Sequence, residues 1–164
     1  MPEQRSASVG VLFVCLGNIC RSPTAHGVFQ HKIDAAGLGD VVSVDSCGTG
    51  NWHAGEPPDA RASAAAALRG YDLSELRARQ VTPHDFDQYD FILAMDESNL
   101  EDLRAMAPAG YSGQLALFLD FASGLSVSTV PDPYYGGENG FDEVLDLIET
   151  ASEGLLEAVV RERR

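Results

Sequence analysis

The chain has 164 residues, 45% of them apolar and 22% charged, which fits one globular domain that buries a core without disulfides or a structural metal. Its formal net charge of −14 excludes broad binding to nucleic acid or anionic membranes and confines any anion site to a local cluster of amides and arginines. No run approaches the roughly 18 apolar residues of a membrane span, and residues 1–8 lack the apolar segment of a secretory signal, so residence in the cytoplasm is the expectation.

Residues 1–8 read as a flexible N-terminal tail ahead of one domain over 9–164. Val9-Gly10-Val11-Leu12-Phe13-Val14-Cys15 is a short, β-branched apolar run that suits a strand buried on both faces. Ser22-Pro23-Thr24-Ala25 then supplies a capping residue and a first-turn proline for a helix running to Gly37. Val41 to Asp45 is a second strand, ending at the glycine-rich turn Gly48-Thr49-Gly50-Asn51. Pro57-Pro58-Asp59 opens an alanine-rich helix that stops at Gly70. Tyr89 to Ala94 reads as a third strand, Asp96 to Met106 as a helix, and Gln114 to Leu119 as a fourth strand. From Glu138 to Val160 the apolar residues recur at helical spacing. Alternating strands and helices predict an α/β fold: an open, mainly parallel four-stranded sheet with helices on both faces. Ligands of such folds gather at the carboxyl ends of the strands, here Cys15, Ser46, Met95-Asp96 and Asp120.

The loop after the first strand is the informative one. Cys15-Leu16-Gly17-Asn18-Ile19-Cys20-Arg21-Ser22 sets a cysteine and an arginine six positions apart, between a strand and a helix start. Taken alone, Cys15 reads as a buried small hydrophobe. In this context, five intervening residues suffice to wrap a phosphate-binding loop around one tetrahedral anion, with N–H groups pointing inward. The helix N-terminus adds its positive end, and Arg21 offers a planar fork to two oxygens. The same field favours thiolate over thiol at Cys15, which makes the sulfur a nucleophile toward a bound phosphate. Gly17 allows a close approach or unusual dihedrals, and Asn18 can pin the loop. No Gly-Lys-Ser/Thr follows, so this is not an ATP-binding glycine loop.

Val11 to Pro23 resembles the signature of the low-molecular-weight protein tyrosine phosphatases. The likeness continues in family order through Asp45-Ser46-Cys47-Gly48-Thr49, Ala78-Arg79-Gln80, Met95-Asp96-Glu97-Ser98-Asn99-Leu100 and Asp132-Pro133-Tyr134-Tyr135-Gly136. The resemblance implies a phosphotyrosine hydrolase working through a phosphocysteine at Cys15, with Arg21 binding phosphate and no metal or organic cofactor. Asp132, between Pro131 and Pro133, matches the family's general acid and base. Leu16, Trp52, Tyr134 and Tyr135 would wall an aryl group. Asn18, Ser22 and Ser46 match a network that supports the loop. By similarity to other members, Tyr134 and Tyr135 could themselves be phosphorylated. The resemblance implies a phosphotyrosine-containing protein or small aryl phosphate as partner, a cognate tyrosine kinase among the candidates, and a monomer is the default.

Cys20 matches a position that forms a reversible disulfide with the nucleophile in relatives; packing as a buried thiol is the equal alternative. Many members carry His-x-Ala-Arg-Gln, whose histidine completes the supporting network. Here the segment reads Leu76-Arg77-Ala78-Arg79-Gln80, so that partner is missing or replaced. Two other readings compete. Arsenate reductases of related fold need downstream cysteines, and none follows Cys47. A non-catalytic phosphate-binding module would be expected to lack Cys15, Arg21 or Asp132. Zinc has little support, since the four histidines are scattered and no Cys-x-x-Cys occurs.

Overall fold

The computed structural model describes residues 8–133 and 140–162. The apolar run Val9–Cys15 is β1, buried along its whole length. It pairs in parallel with β2 (Val42–Gly48) on one side and β3 (Phe91–Ala94) on the other, and β4 (Gln114–Leu117) lies beyond β3. The order β2-β1-β3-β4 gives the expected parallel four-stranded sheet. Helices α1 (Arg21–Ala35), α2 (Ala60–Leu68), α3 (Asp85–Gln88), α4 (Glu97–Met106) and α5 (Gly140–Glu162) complete it.

The period of two along β1 sorts its side chains into two cores. Val9, Val11, Phe13 and Cys15 share one cluster with Phe29 of α1 and Ile148 and Leu155 of α5. Leu12 and Val14 share the other with Leu100 and Leu103 of α4. Phe13 meets Phe29 and Phe118 edge-on, with ring centroids 5.8 and 5.0 Å away. Burying such a ring is worth about 2 kcal/mol or more, so a one-residue slip of β1 is strongly disfavoured. That register also decides which way Cys15 points.

The sheet order reverses direction at β1: the chain leaves it toward β2 on one side and later enters β3 on the other. A crevice forms where the connections diverge, at the carboxyl ends of β1 and β3. Cys15 closes the first of these strands, and Met95-Asp96 follows the second.

Several boundaries differ from expectation. Helix α1 begins at Arg21, with Cys20 in the capping position and no side-chain cap, so Ser22 lies inside the first turn. Strand β2 runs on to Gly48 because it tracks β1 as far as the Cys15–Gly48 pair. Strand β4 ends at Leu117, and Phe118–Phe121 coil into a 3-10 turn that brings Phe118 onto Phe13. The third strand starts at Phe91, because Tyr89 closes the unexpected short helix α3. The last helix is described from Gly140 and runs to Glu162.

Candidate active site

The described residues Cys15, Leu16, Gly17, Ile19, Cys20, Arg21, Trp52, His53 and Asp132 line one cleft of about 380 Å³. Cys15 sits at its floor, 3% exposed. The amide of Asn18 donates to Cys15 Sγ at 3.3 Å, and Ser22 Oγ lies 3.0 Å from the same sulfur. Asn18 Nδ2 donates to Ser22 Oγ at 2.8 Å, and Ser22 Oγ donates to the carbonyl oxygen of Cys47 at 3.3 Å. Ser22 has a single proton to place. It can serve the carbonyl while the sulfur is a thiol, or turn to the sulfur when that atom carries negative charge.

The loop's left-handed residue is Asn18, at φ 59°, rather than Gly17. Asparagine tolerates this region better than most residues. Here both ends of its amide are engaged, with the amide of Arg79 donating to Asn18 Oδ1 at 3.0 Å. The glycine that close packing requires is Gly48. A Cβ there would stand 2.7 Å from the carbonyl oxygen of Leu16 and 3.2 Å from the amide nitrogen of Asn18. The end of β2 is thereby pressed against the loop backbone, and the amides of Thr49 and Gly50 donate to the carbonyls of Cys15 and Leu16, each at 2.9 Å.

Arg21 is 3% exposed and held from two sides. Its Nη1 donates to Asp96 Oδ2 at 2.7 Å and to the carbonyl oxygen of Val130 at 3.0 Å. Its Nη2 lies 3.8 Å from Asp132 Oδ2. Asp132 is exposed at the mouth of the cleft, with Pro133 buried behind it. Leu16 and Trp52 stand at the rim, 44% and 67% exposed. Tyr134 and Tyr135 lie outside the described residues.

Ser46 does not join the Asn18–Ser22 pair. Its hydroxyl faces α1 and meets His26 Nδ1 at 3.1 Å. Burial pushes His26 below the ordinary histidine range, against the opposing pull of Asp45. The sequence reading left a partner missing at Leu76; Asn18 is held by the Arg79 amide, and Ser46 is held by His26. Asp96, His53 and His26 were also given no role in the sequence. Asp96 carried two signals, its place just beyond the third strand and its place in the family-like block Met95 to Leu100, whereas His53 and His26 carried none that could be read without the fold.

Cys15, Cys20 and Cys47 are free thiols. Burial pushes Cys20 up to about 12, with the charges of Asp59, Cys15 and Asp132 adding to it. Cys47 is likewise raised by burial. Among the described residues, no group of three His, Cys, Asp or Glu side chains is placed to hold a metal. No described helix is long and apolar enough to cross a membrane.

Comparison with known proteins gives a consistent result. The sequence profile of a family described as low molecular weight phosphotyrosine protein phosphatase matches residues 10–164. A low molecular weight protein-tyrosine-phosphatase of Streptomyces coelicolor is 46% identical over 152 residues, covering 91% of this chain and 92% of that protein. Among solved structures, a protein tyrosine phosphatase from Entamoeba histolytica superposes with a TM-score of 0.90 at 39% identity, covering 96% of this chain and 100% of the other. A further structure, described as a Drosophila arginine phosphatase, superposes with a TM-score of 0.84 at 32% identity, covering 90% of this chain and 96% of that one.

Proposed function

The chain belongs to the low molecular weight phosphotyrosine protein phosphatase family and is a protein-tyrosine phosphatase; from that premise we propose that Cys15, Arg21 and Asp132 carry its reaction. The loop amides and the guanidinium of Arg21 bind the phosphate dianion above the sulfur. Cys15 Sγ, as thiolate, attacks phosphorus in line. The bond from phosphorus to the aryl oxygen breaks, and Asp132 gives its proton to that oxygen. The ionised Asp132 then takes a proton from water, whose oxygen attacks phosphorus, and the bond from phosphorus to sulfur breaks. Ser22 donates to the departing thiolate. The loop offsets charge on the equatorial oxygens throughout.

The observation that carries this reading is the hydrogen bonding at the sulfur. Cys15 Sγ is met by the Asn18 amide and the Ser22 hydroxyl, both of which favour an anion at that atom. Leu16, Ile19 and Trp52 on the cleft wall supply apolar surface suited to a phenyl ring. Tyr134 and Tyr135 are proposed as further wall. Cys20, lining the same cleft, is the proposed resolving thiol: after a peroxide oxidises Cys15 to the sulfenic acid, attack by Cys20 forms the disulfide and releases water.

The test is turnover of p-nitrophenyl phosphate without added metal, with phosphotyrosine, phosphoserine and phosphoarginine compared. The wild type turns over aryl phosphate and prefers phosphotyrosine, and Cys15→Ser is inactive. Turnover that survives Cys15→Ser would reject the mechanism.

A further inference from the structure

Arg79 is not among the residues that line the cleft, yet its main chain and side chain tie together everything behind the phosphate loop. Its amide donates to Asn18 Oδ1 at 3.0 Å, and its carbonyl accepts from the amide of Gly48 at 2.8 Å. The neighbouring Ala78 exchanges backbone bonds with the loop that carries Trp52 and His53: Gly55 donates to its carbonyl at 2.8 Å, and its amide donates to the carbonyl of Glu56 at 2.9 Å.

The guanidinium is held between two carboxylates. Nε and Nη2 donate to Asp45 Oδ2 of β2 at 3.2 and 3.0 Å. Nη1 and Nη2 donate to Asp85 Oδ2 and Oδ1 of α3 at 3.1 and 3.0 Å, a bidentate pair. The Asp85 side chain is 5% exposed and also accepts from the amide of Thr82 at 2.8 Å. Of the three charges only Asp85 is buried, and the partly exposed pairs add little net stability because solvent screens Arg79 and Asp45 while burial of Asp85 costs desolvation. What the planar fork does supply is a fixed distance and angle between β2, α3 and the segment from Ala78 to Val81.

We propose that Arg79 is a positioning residue for the phosphatase reaction. Its double ion pair sets the segment whose amide holds Asn18 in the left-handed conformation, and Asn18 in turn sets Ser22 and the Cys15 sulfur. The inference rests on the assignment of Cys15 as nucleophile. Arg79 touches neither substrate nor sulfur. It acts through a chain of three contacts, each at or under 3.3 Å: Arg79 N to Asn18 Oδ1, Asn18 Nδ2 to Ser22 Oγ and Asn18 N to Cys15 Sγ.

The experiment compares wild type, Arg79→Met, Arg79→Lys, Asp85→Asn and Cys15→Ser. It measures kcat and KM with p-nitrophenyl phosphate, the pH dependence of Cys15 alkylation by iodoacetamide, and the thermal midpoint. Arg79→Met lowers kcat about ten- to a hundredfold through misplacement of the sulfur and its donors. KM changes less, because the partners of Arg21 are untouched. Alkylation of Cys15 at neutral pH changes in rate, because the Asn18 amide and the Ser22 hydroxyl no longer sit against the sulfur. Arg79→Lys keeps the charge but not the fork and recovers part of each effect. A variant that melts earlier but matches the wild type in kcat and in alkylation profile overturns the proposal, since a merely structural role moves only the melting. Should Arg79→Met fail to fold, Arg79→Lys and Asp85→Asn decide: wild-type kcat and alkylation in both would overturn it. Activity lost in Cys15→Ser but kept in the Arg79 variants rejects the role of Arg79 alone. Activity kept in Cys15→Ser rejects the parent mechanism.

Discussion

Arg21 Nη1 lies 2.7 Å from Asp96 Oδ2, across 75 positions of sequence. The other acceptor of Nη1, the carbonyl of Val130, belongs to a residue whose own amide donates to the carbonyl of Met95 at 2.8 Å. Both holders of the guanidinium are thus fixed to the carboxyl end of β3, next to the strand that ends in Cys15. Arg21 and Cys15, the proposed phosphate binder and nucleophile, are set by adjacent strands of one sheet, which is the kind of pre-arrangement that charge stabilisation requires.

Asp96 has a second task that lets the two effects be separated. Its Oδ1 accepts from the amide of Asn99 at 2.9 Å and caps α4. Asp96→Ala therefore loses about 0.5–2 kcal/mol of stability from the cap and removes the nearer of the two carboxylates beside Arg21, so kcat/KM falls by roughly tenfold or more. Asp96→Asn keeps a cap and an acceptor oxygen, and it retains both stability and most of the activity. Thermal melts and steady-state kinetics on the two variants check this. Asp96→Ala with wild-type kcat/KM would show that Arg21 needs no such holder.

Gly48 borders the phosphate loop and Gly17 lies within it, and they differ in what surrounds them. A Cβ at Gly48 meets loop backbone at 2.7 Å, and backbone cannot yield cheaply. Gly48→Ala should cost about 1–3 kcal/mol as an overpacked site and should weaken inhibition by inorganic phosphate by displacing Leu16 to Asn18. At Gly17 the contact is the ring edge of His53 at 3.0 Å, a half-exposed side chain that can swing away. Gly17→Ala is expected to be the milder change. Phosphate inhibition constants and urea midpoints for the pair test the ordering.

Alkali should unfold this protein through groups that the fold keeps protonated. Burial, with nearby negative charge, raises Cys20 from an ordinary 9.0 to about 12. Burial and the Glu149 carboxylate raise Tyr71 from 10.0 to about 12, and burial and Asp90 do the same for Tyr111. A group raised in the fold holds its proton longer there than in the unfolded chain. Its stabilisation is complete below the unfolded value and is lost as pH rises through the folded one. Urea midpoints should therefore hold to about pH 9 and fall steadily above it, and Cys20→Ala should flatten the slope. Midpoints that stay level through the alkaline range would contradict these directions.

His26 makes the complementary acid-side prediction. Burial holds it below its ordinary 6.5, so it is neutral where it meets Ser46. The unfolded chain takes up that proton first as pH drops, so the stabilisation present above 6.5 is lost as pH falls below it. His26→Leu should remove this dependence and leave the buried Ser46 hydroxyl unpaired, at a cost of about 1–3 kcal/mol. His26→Gln can still reach Ser46 and should recover much of that loss. Urea midpoints between neutral and mildly acid pH distinguish the three proteins.

What could be read in advance follows from how local each determinant is. The ends of β1 and the extent of α4 to within one residue were legible because the apolar run and the helical pattern lie within the elements they govern; that Asp96 caps α4 rather than opening it was not read. The placing of Cys15 and Arg21 on one cleft was legible for the same reason, since only five residues separate them. Strand β4 was read two residues too long because Phe118 and Leu119 continue its apolar pattern. Only the packing of Phe118 on Phe13 shows why the chain turns there. The holders of Arg21 come from 75 and 109 residues away, and one is a backbone carbonyl, which no side-chain pattern marks. The His26–Ser46 contact was hidden for a related reason: it joins a helix to a strand across 20 positions, and the resemblance assigned Ser46 to the Asn18–Ser22 network while His26 carried no signal.

The most direct measurement looks for phosphate on sulfur. In Asp132→Ala, p-nitrophenyl phosphate still loses its good leaving group without help, but water is no longer deprotonated for the second step, so the intermediate accumulates. Rapid acid quench followed by peptide mass mapping should find a phosphoryl group on the peptide containing Cys15 and nowhere else. Full turnover of the wild type with no phosphorylated Cys15 detectable in this trapped variant, or phosphate carried on another side chain, would contradict the account.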